Sequence, residues 1–286
     1  MPFWSKPTKR EPGTDPDTIF AACAWQMRGF GAPRLPRIPP VFQRRDALAE
    51  TAHDPEGPHS AEEWAENIFY RITADAEIGD FEVQLVARGR EEEHGVRRIP
   101  LSNCWAEGAP MSYCVDVRGR PTVLWDRASV GEPGRLAADL QVQLAILRLA
   151  AVGTPEDYDD RSFLTLLTQA AVGAGMGLDW LGNEVAVEDA LRREGGPAVR
   201  SFLTVRDMLE TGLLVAMRAR RLSPEQIIAS YGPALPPKFR KRIFSLCADI
   251  DGYEPELKLL QTVCDRKSGC GAAQASLRGP RAAIGM

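Results

Sequence analysis

The sequence predicts an α+β fold, with a small antiparallel-containing sheet in the N-terminal half and a helical C-terminal half. Three observations predict it. Apolar and polar residues alternate in short runs between about 80 and 126. Helix-period apolar spacing takes over from about 133 and persists to 264. Gly119 turns a hairpin inside the first of these regions, and Glu132-Pro133 leads into the second. With 286 residues, 44% of them hydrophobic and 26% charged, the chain can bury a core without staples.

Residues 1–45 form a basic, proline-rich arm. Within it, Asp15-Pro16-Asp17 can start a short helix through Phe20, Cys23, Ala24 and Met27, stopped near Gly29 and Gly31. Pro33, Pro36, Pro39 and Pro40 then enforce an extended path. Residues 46–264 make a single α+β domain that opens on an acidic stretch. Ser60-Ala61-Glu62-Glu63 is a capping box, ahead of a helix with Trp64, Ile68 and Ile72 on one face. Phe81, Val83 and Leu85 alternate with Glu82 and Gln84 as a strand. Tyr113, Val115 and Val117 form the first arm of a hairpin that turns at Gly119 and returns through Thr122–Trp125.

The helical half begins with Leu136, Leu140, Leu144, Leu147 and Ala151 on one face. Thr154-Pro155-Glu156-Asp157 caps a second helix bearing Leu164, Leu167, Ala171, Ala174, Leu178 and Leu181. A third carries Phe202, Val205, Leu209, Leu213 and Ala216, and ends in Arg218, Arg220 and Arg221, which suit the negative end of a helix dipole. Ser223-Pro224-Glu225-Gln226 opens a fourth, stopped by Gly232-Pro233. A fifth uses Phe239, Ile243 and Leu246, and a last one Leu257, Leu260 and Val263. Residues 265–286, rich in Gly, Ala, Ser and Arg, lack periodic apolar positions and are expected to be disordered.

Net charge is -4, so no global field points to nucleic acid or membrane. Met1–Arg10 contains no apolar run of signal-peptide type, and no stretch reaches the length of a membrane helix. The expectation is a cytoplasmic protein with reduced thiols, among which Cys104, Cys114 and Cys247 are buried. Histidine is scarce: His53, His59 and His94 stand in polar surroundings, and no Cys-x-x-Cys pair exists. A nucleophilic triad or a structural zinc site is therefore not expected, nor is any other cofactor.

Four local features invite a functional interpretation. Gly173-Ala174-Gly175-Met176-Gly177 is not a dinucleotide fingerprint, because position 178 is Leu and the preceding run is helical. Its glycines imply close helix packing or a ligand touching backbone. Asp157, Asp159 and Asp160 compensate a helix N-terminus, or join Glu184 in a carboxylate-based hydrolytic site. Lys238, Arg240, Lys241 and Arg242 around Phe239 form a solvated helix face, or a phosphate-contacting run that works with the basic arm. Trp180 and Asn183 end the glycine-rich helix, with Asn183 a candidate cap; with the basic run they form the candidate interaction surface for a protein partner.

The run Arg120-Pro121-Thr122-Val123-Leu124-Trp125-Asp126, then Glu132-Pro133 and a long helix, resembles a group of uncharacterised bacterial proteins of the zincin type. There a similar strand leads into a helix bearing His-Glu-x-x-His. Thr165-Leu166-Leu167-Thr168, the glycine-rich stretch and Gly182-Asn183 extend the likeness over about residues 118–185, and less clearly to 246. The resemblance implies a strand beside a metal-bearing helix, with glutamate as general base. Here Val142-Gln143-Leu144-Ala145-Ile146 stands in that place. Valine and isoleucine cannot ligate zinc, and Gln143 has the shape of glutamate but cannot take a proton. The acidic position before Leu-Leu-Thr is Thr165, with Arg161 one turn earlier. The resemblance thus implies a degenerate member with Val142, Gln143 and Ile146 at the ligand and base positions. Its expected role is that of a non-catalytic pseudoenzyme binding a protein partner.

Overall fold

The computed structural model describes residues 16–36, 60–75, 82–101, 111–152, 160–194 and 202–267. Helix α1 spans Pro16–Phe30 and buries Ile19, Phe20, Cys23 and Met27. It stops where Gly31, at φ 82°, donates its N–H to the Met27 carbonyl at 2.9 Å, a left-handed cap that favours glycine. Helix α2 spans Ala61–Asp75. Ser60 Oγ accepts the Glu63 N–H at 3.1 Å, as the capping signal predicts, and Ile68 and Ile72 are buried.

Four short strands come next: β1 Gln84–Ala87, β2 Arg97–Pro100, β3 Ser112–Val115 and β4 Pro121–Trp125. They form one mixed sheet in the order β1-β4-β3-β2, with β1 parallel to β4 and the other pairs antiparallel. The expected alternation holds from Val83 through β1: Val83, Leu85 and Ala87 join the main core, while Val86 packs with Cys114 and Leu124 on the opposite face. Phe81 lies outside the described residues. At the hairpin turn, Asp116 Oδ1 accepts the N–H groups of Arg118 and Arg120, each at 2.8 Å, and Gly119 takes φ 77°. Pro121 stands at the first residue of a central strand, a position where the missing N–H is tolerated.

Helix α3, Pro133–Val152, comes after β4 through a short 3-10 turn at Arg127–Ser129 that Asp126 caps. Every residue from Leu136 to Leu149 is buried. The spacing of its leucines predicts one apolar face, but the sheet, α2, α1 and later helices of the chain surround it. Helix α4 spans Asp160–Gly173 and α5 spans Gly177–Gly182. The sequence predicts a single helix here. The structure breaks it at Gly175, at φ 83°, with the Gly175 N–H on Val172 O and the Met176 N–H on Ala171 O, both 2.9 Å. This Schellman-type stop turns the chain while both pieces keep their apolar sides inward.

Helices α6 (Glu184–Arg193), α7 (Phe202–Ala219), α8 (Pro224–Tyr231), α9 (Pro237–Asp251) and α10 (Glu254–Lys267) complete the chain's described part. The capping box at Ser223 is fully formed with Gln226. Helix α1 packs against α3, α4, α7 and α10 and belongs to the same core cluster as the rest. The segment placed by sequence in an arm ahead of the domain therefore supplies one of its central helices. Helix α10 buries Cys264 and runs to Lys267, past the expected boundary at 264.

Candidate functional site

Positions 142, 143 and 146 lie in the middle of α3, where it crosses the sheet. Val142 and Ile146 are wholly buried, 0% and 1% exposed, within the main core. Gln143 is turned to the strand. Its Oε1 accepts the Leu124 N–H at 2.7 Å and its Nε2 donates to the Leu124 carbonyl at 2.6 Å. Strand β3 pairs with β4 only at Pro121 and Thr122, so at Leu124 the carboxamide does the work of a neighbouring strand. Glutamate could match only one of these two bonds while ionised. Thr165, the expected acidic position, is wholly buried, and its hydroxyl lies 3.7 Å from the sulfur of Met208. Arg161's side chain lies outside the described residues.

One turn before Gln143, Asp139 is buried and ion-paired to Arg193 at the end of α6. Next to Arg193, buried Glu194 is held by Arg88, just past β1, and by Arg98 of β2 at 3.5 Å. Burial pushes the Asp139 carboxyl up to about 6, against the pull of Arg193 and Arg88. This network ties α6 to α3 and to the sheet. Asp139 Oδ2 and Arg193 Nη1 are buried without a hydrogen-bond partner. Among the described residues no group of three His, Cys, Asp or Glu side chains is placed to hold a metal ion.

Neither family models, nor curated proteins, nor solved structures match this chain. The site therefore rests on its own geometry.

The other residues singled out by sequence do not gather around it. Trp180, expected on an interaction surface, is 0% exposed: the break at Gly175 folds α5 inward and takes its indole into the core. Asn183 is half-buried and caps α5 through its backbone N–H to Trp180 O, with no side-chain cap bond to α6. Glu184 is gripped by the Arg206 guanidinium, which occupies both its oxygens. Asp157 and Asp159 lie outside the described residues, as does the side chain of Asp160. Lys238, Arg240, Lys241 and Arg242 are exposed on α9 while Phe239 is buried, as the solvated-face reading predicts. Arg242 is already matched by Asp207 at 3.3 Å and Glu210 at 2.9 Å. Within the glycine-rich stretch at 173–177, Gly177 is the close contact: a Cβ there would lie 2.8 Å from Leu213 Cδ2.

Thiol chemistry has no foothold among the described cysteines. Cys23, Cys114, Cys247 and Cys264 are free and buried. Burial pushes the Cys23 thiol up to about 12 and that of Cys247 to about 11. Thiolates are scarce at such values. Sequence inspection missed Asp139, Arg193 and Glu194. A charge inside the apolar run of α3 was the available signal for Asp139; its partners lie too far along the chain to be linked to it by spacing.

Proposed function

We propose that the chain is a non-catalytic, zincin-like pseudoenzyme serving as a cytoplasmic protein-binding or regulatory module. The observation that supports this best is Gln143, whose carboxamide is consumed by both backbone groups of Leu124. In a working enzyme of that type this position faces substrate and carries a general base. Here its two neighbours on the helix, Val142 and Ile146, are core. Each contributes roughly 1.5–3 kcal/mol by burial, where imidazoles would need a wet cleft. Among the described residues no helix is long and apolar enough to cross a membrane. The face left for a protein partner is that of α9, where exposed Phe244 lies one turn beyond Arg240 and Lys241. An acidic protein surface suits that combination of cations around one aromatic ring.

Metal analysis of the purified protein, paired with Gln143→Glu, tests the proposal. The expected results are no stoichiometric zinc and no peptidase activity. The Glu variant should be destabilised by about 2–4 kcal/mol at neutral pH, because an unpaired buried charge replaces a satisfied amide. The deficit should shrink in acid, where a protonated carboxyl can again both donate and accept. One zinc per chain, or peptidase activity abolished by the Gln143 change, would overturn the proposal.

A further inference from the structure

At the other end of α3, away from Gln143, Arg148 is buried to 8% exposure. Its guanidinium carbon lies 3.7 Å from the centre of the Phe30 ring. Among the described residues it makes no ion pair with an acidic side chain, and its buried Nε has no hydrogen-bond partner. Among the described residues another cation, Arg34, acts on it, and Arg34 itself lies under the influence of Arg220. Gly173 leaves the guanidinium its room: a Cβ there would lie 3.4 Å from Nη2.

Arg148 lines a small cavity with Gln26, Gln169, Cys23, Met27 and Gly173. Two of these are buried amides with open valences. Gln26, 3% exposed, has both side-chain polar atoms unpartnered, and Gln169, 1% exposed, has its Oε1 unpartnered. The cavity measures about 10 Å³, room for one water-sized group. Three buried polar side chains thus face one hole. They come from α1, α3 and α4, so the hole is built by the fold rather than by one flexible loop.

Water would satisfy the amides but not the charge. An unpaired guanidinium in the interior is costly. Stacking on an aromatic ring offsets only part of that cost, and a second arginine nearby adds repulsion. An anion answers all of these at once. It must be small, because the hole admits one atom-sized head and leaves no space for a tetrahedral oxyanion. We propose that this cavity is a binding site for a small monatomic anion of chloride size, held by Arg148 with the Gln26 amide N–H as second donor. The site is independent of the reading of positions 142–146.

Thermal unfolding of the full chain at constant ionic strength tests it, with sodium gluconate, too large for the hole, replaced stepwise by sodium chloride. Wild type should show a saturable rise in Tm of roughly 2–4 °C. Arg148→Met should lose the response and, in gluconate alone, be at least as stable as wild type, because the uncompensated charge is gone. A merely structural arginine would give the opposite sign. Gln26→Leu keeps the arginine, and should fold and weaken apparent anion affinity several-fold. A wild type indifferent to chloride overturns the proposal, as does a response that Arg148→Met retains.

Discussion

Burial and ion pairing pull the Asp139 carboxyl in opposite directions, and burial wins, leaving it at about 6 rather than the ordinary 3.8. The folded chain therefore binds this proton more tightly than the unfolded chain does. The stability this group contributes is complete below about pH 3.8 and is lost as pH rises through about 6. The full loss is of the order of 3 kcal/mol. Arg193, Arg88 and Arg135 act on the carboxyl from one sign and Glu194 from the other. Asp139→Asn removes the titration while keeping the shape. Urea unfolding of both proteins from pH 4 to pH 7 should show wild type losing stability relative to the variant across that window. A difference that stays flat with pH would mean that Arg193 holds the carboxylate ionised throughout. At this scale the sequence was only half legible. Asp139 and Arg148 stand out as charges inside an otherwise apolar helix. Arg193 lies 54 residues from Asp139, and no local spacing reveals such a pairing.

Elements were legible wherever a local rule decides them. The caps at Ser60 and Ser223 formed as read, and so did the alternation in β1 and the turn at Gly119. Strand β2 was missed because Arg97-Arg98-Ile99-Pro100 is a polar edge strand, held by backbone pairing to β3 rather than by an apolar face. Helix α6 was missed because its apolar positions, Val187, Ala190 and Leu191, are few among charges. Gly212, inside α7, shows why propensity alone misleads about an element. Alanine there should gain about 1 kcal/mol of helix propensity. Its Cβ, however, would lie 2.1 Å from Gln169 Nε2, so that this side chain, 1% exposed, must shift toward the small cavity it lines. Overpacking of that kind costs about 1–3 kcal/mol and displaces the amide that donates to Met208 O at 3.5 Å. Gly212→Ala should therefore lower the urea midpoint. Gly182→Ala, where nothing lies within 4 Å, should leave it unchanged or raise it slightly.

At the scale of the whole molecule, the question is where the folded unit begins. Composition separates a basic, proline-rich stretch at 1–45 from the remainder of the chain, and on that view removing it spares the core. The packing argues otherwise. Helix α1 places Ile19, Phe20, Ala22, Cys23 and Met27 in the main cluster, each no more than 4% exposed, against α4 and α7. Arg34 and Arg220 then tie the segment after it down, the first through its N–H to Gly173 O at 3.1 Å, the second through Nε to Pro33 O at 3.1 Å. The larger of these side chains each contribute roughly 1.5–3 kcal/mol by burial. Their sum rivals the whole net stability of a domain, about 5–15 kcal/mol. Composition could not show this, because one amphipathic helix among prolines and cations barely moves an average. Deleting residues 1–30 should therefore yield a chain that keeps helical far-ultraviolet circular dichroism but loses cooperative urea unfolding and binds a hydrophobic dye. Retention of a single sharp transition, with a slope reduced only in proportion to the lost surface, would show that the core closes without α1.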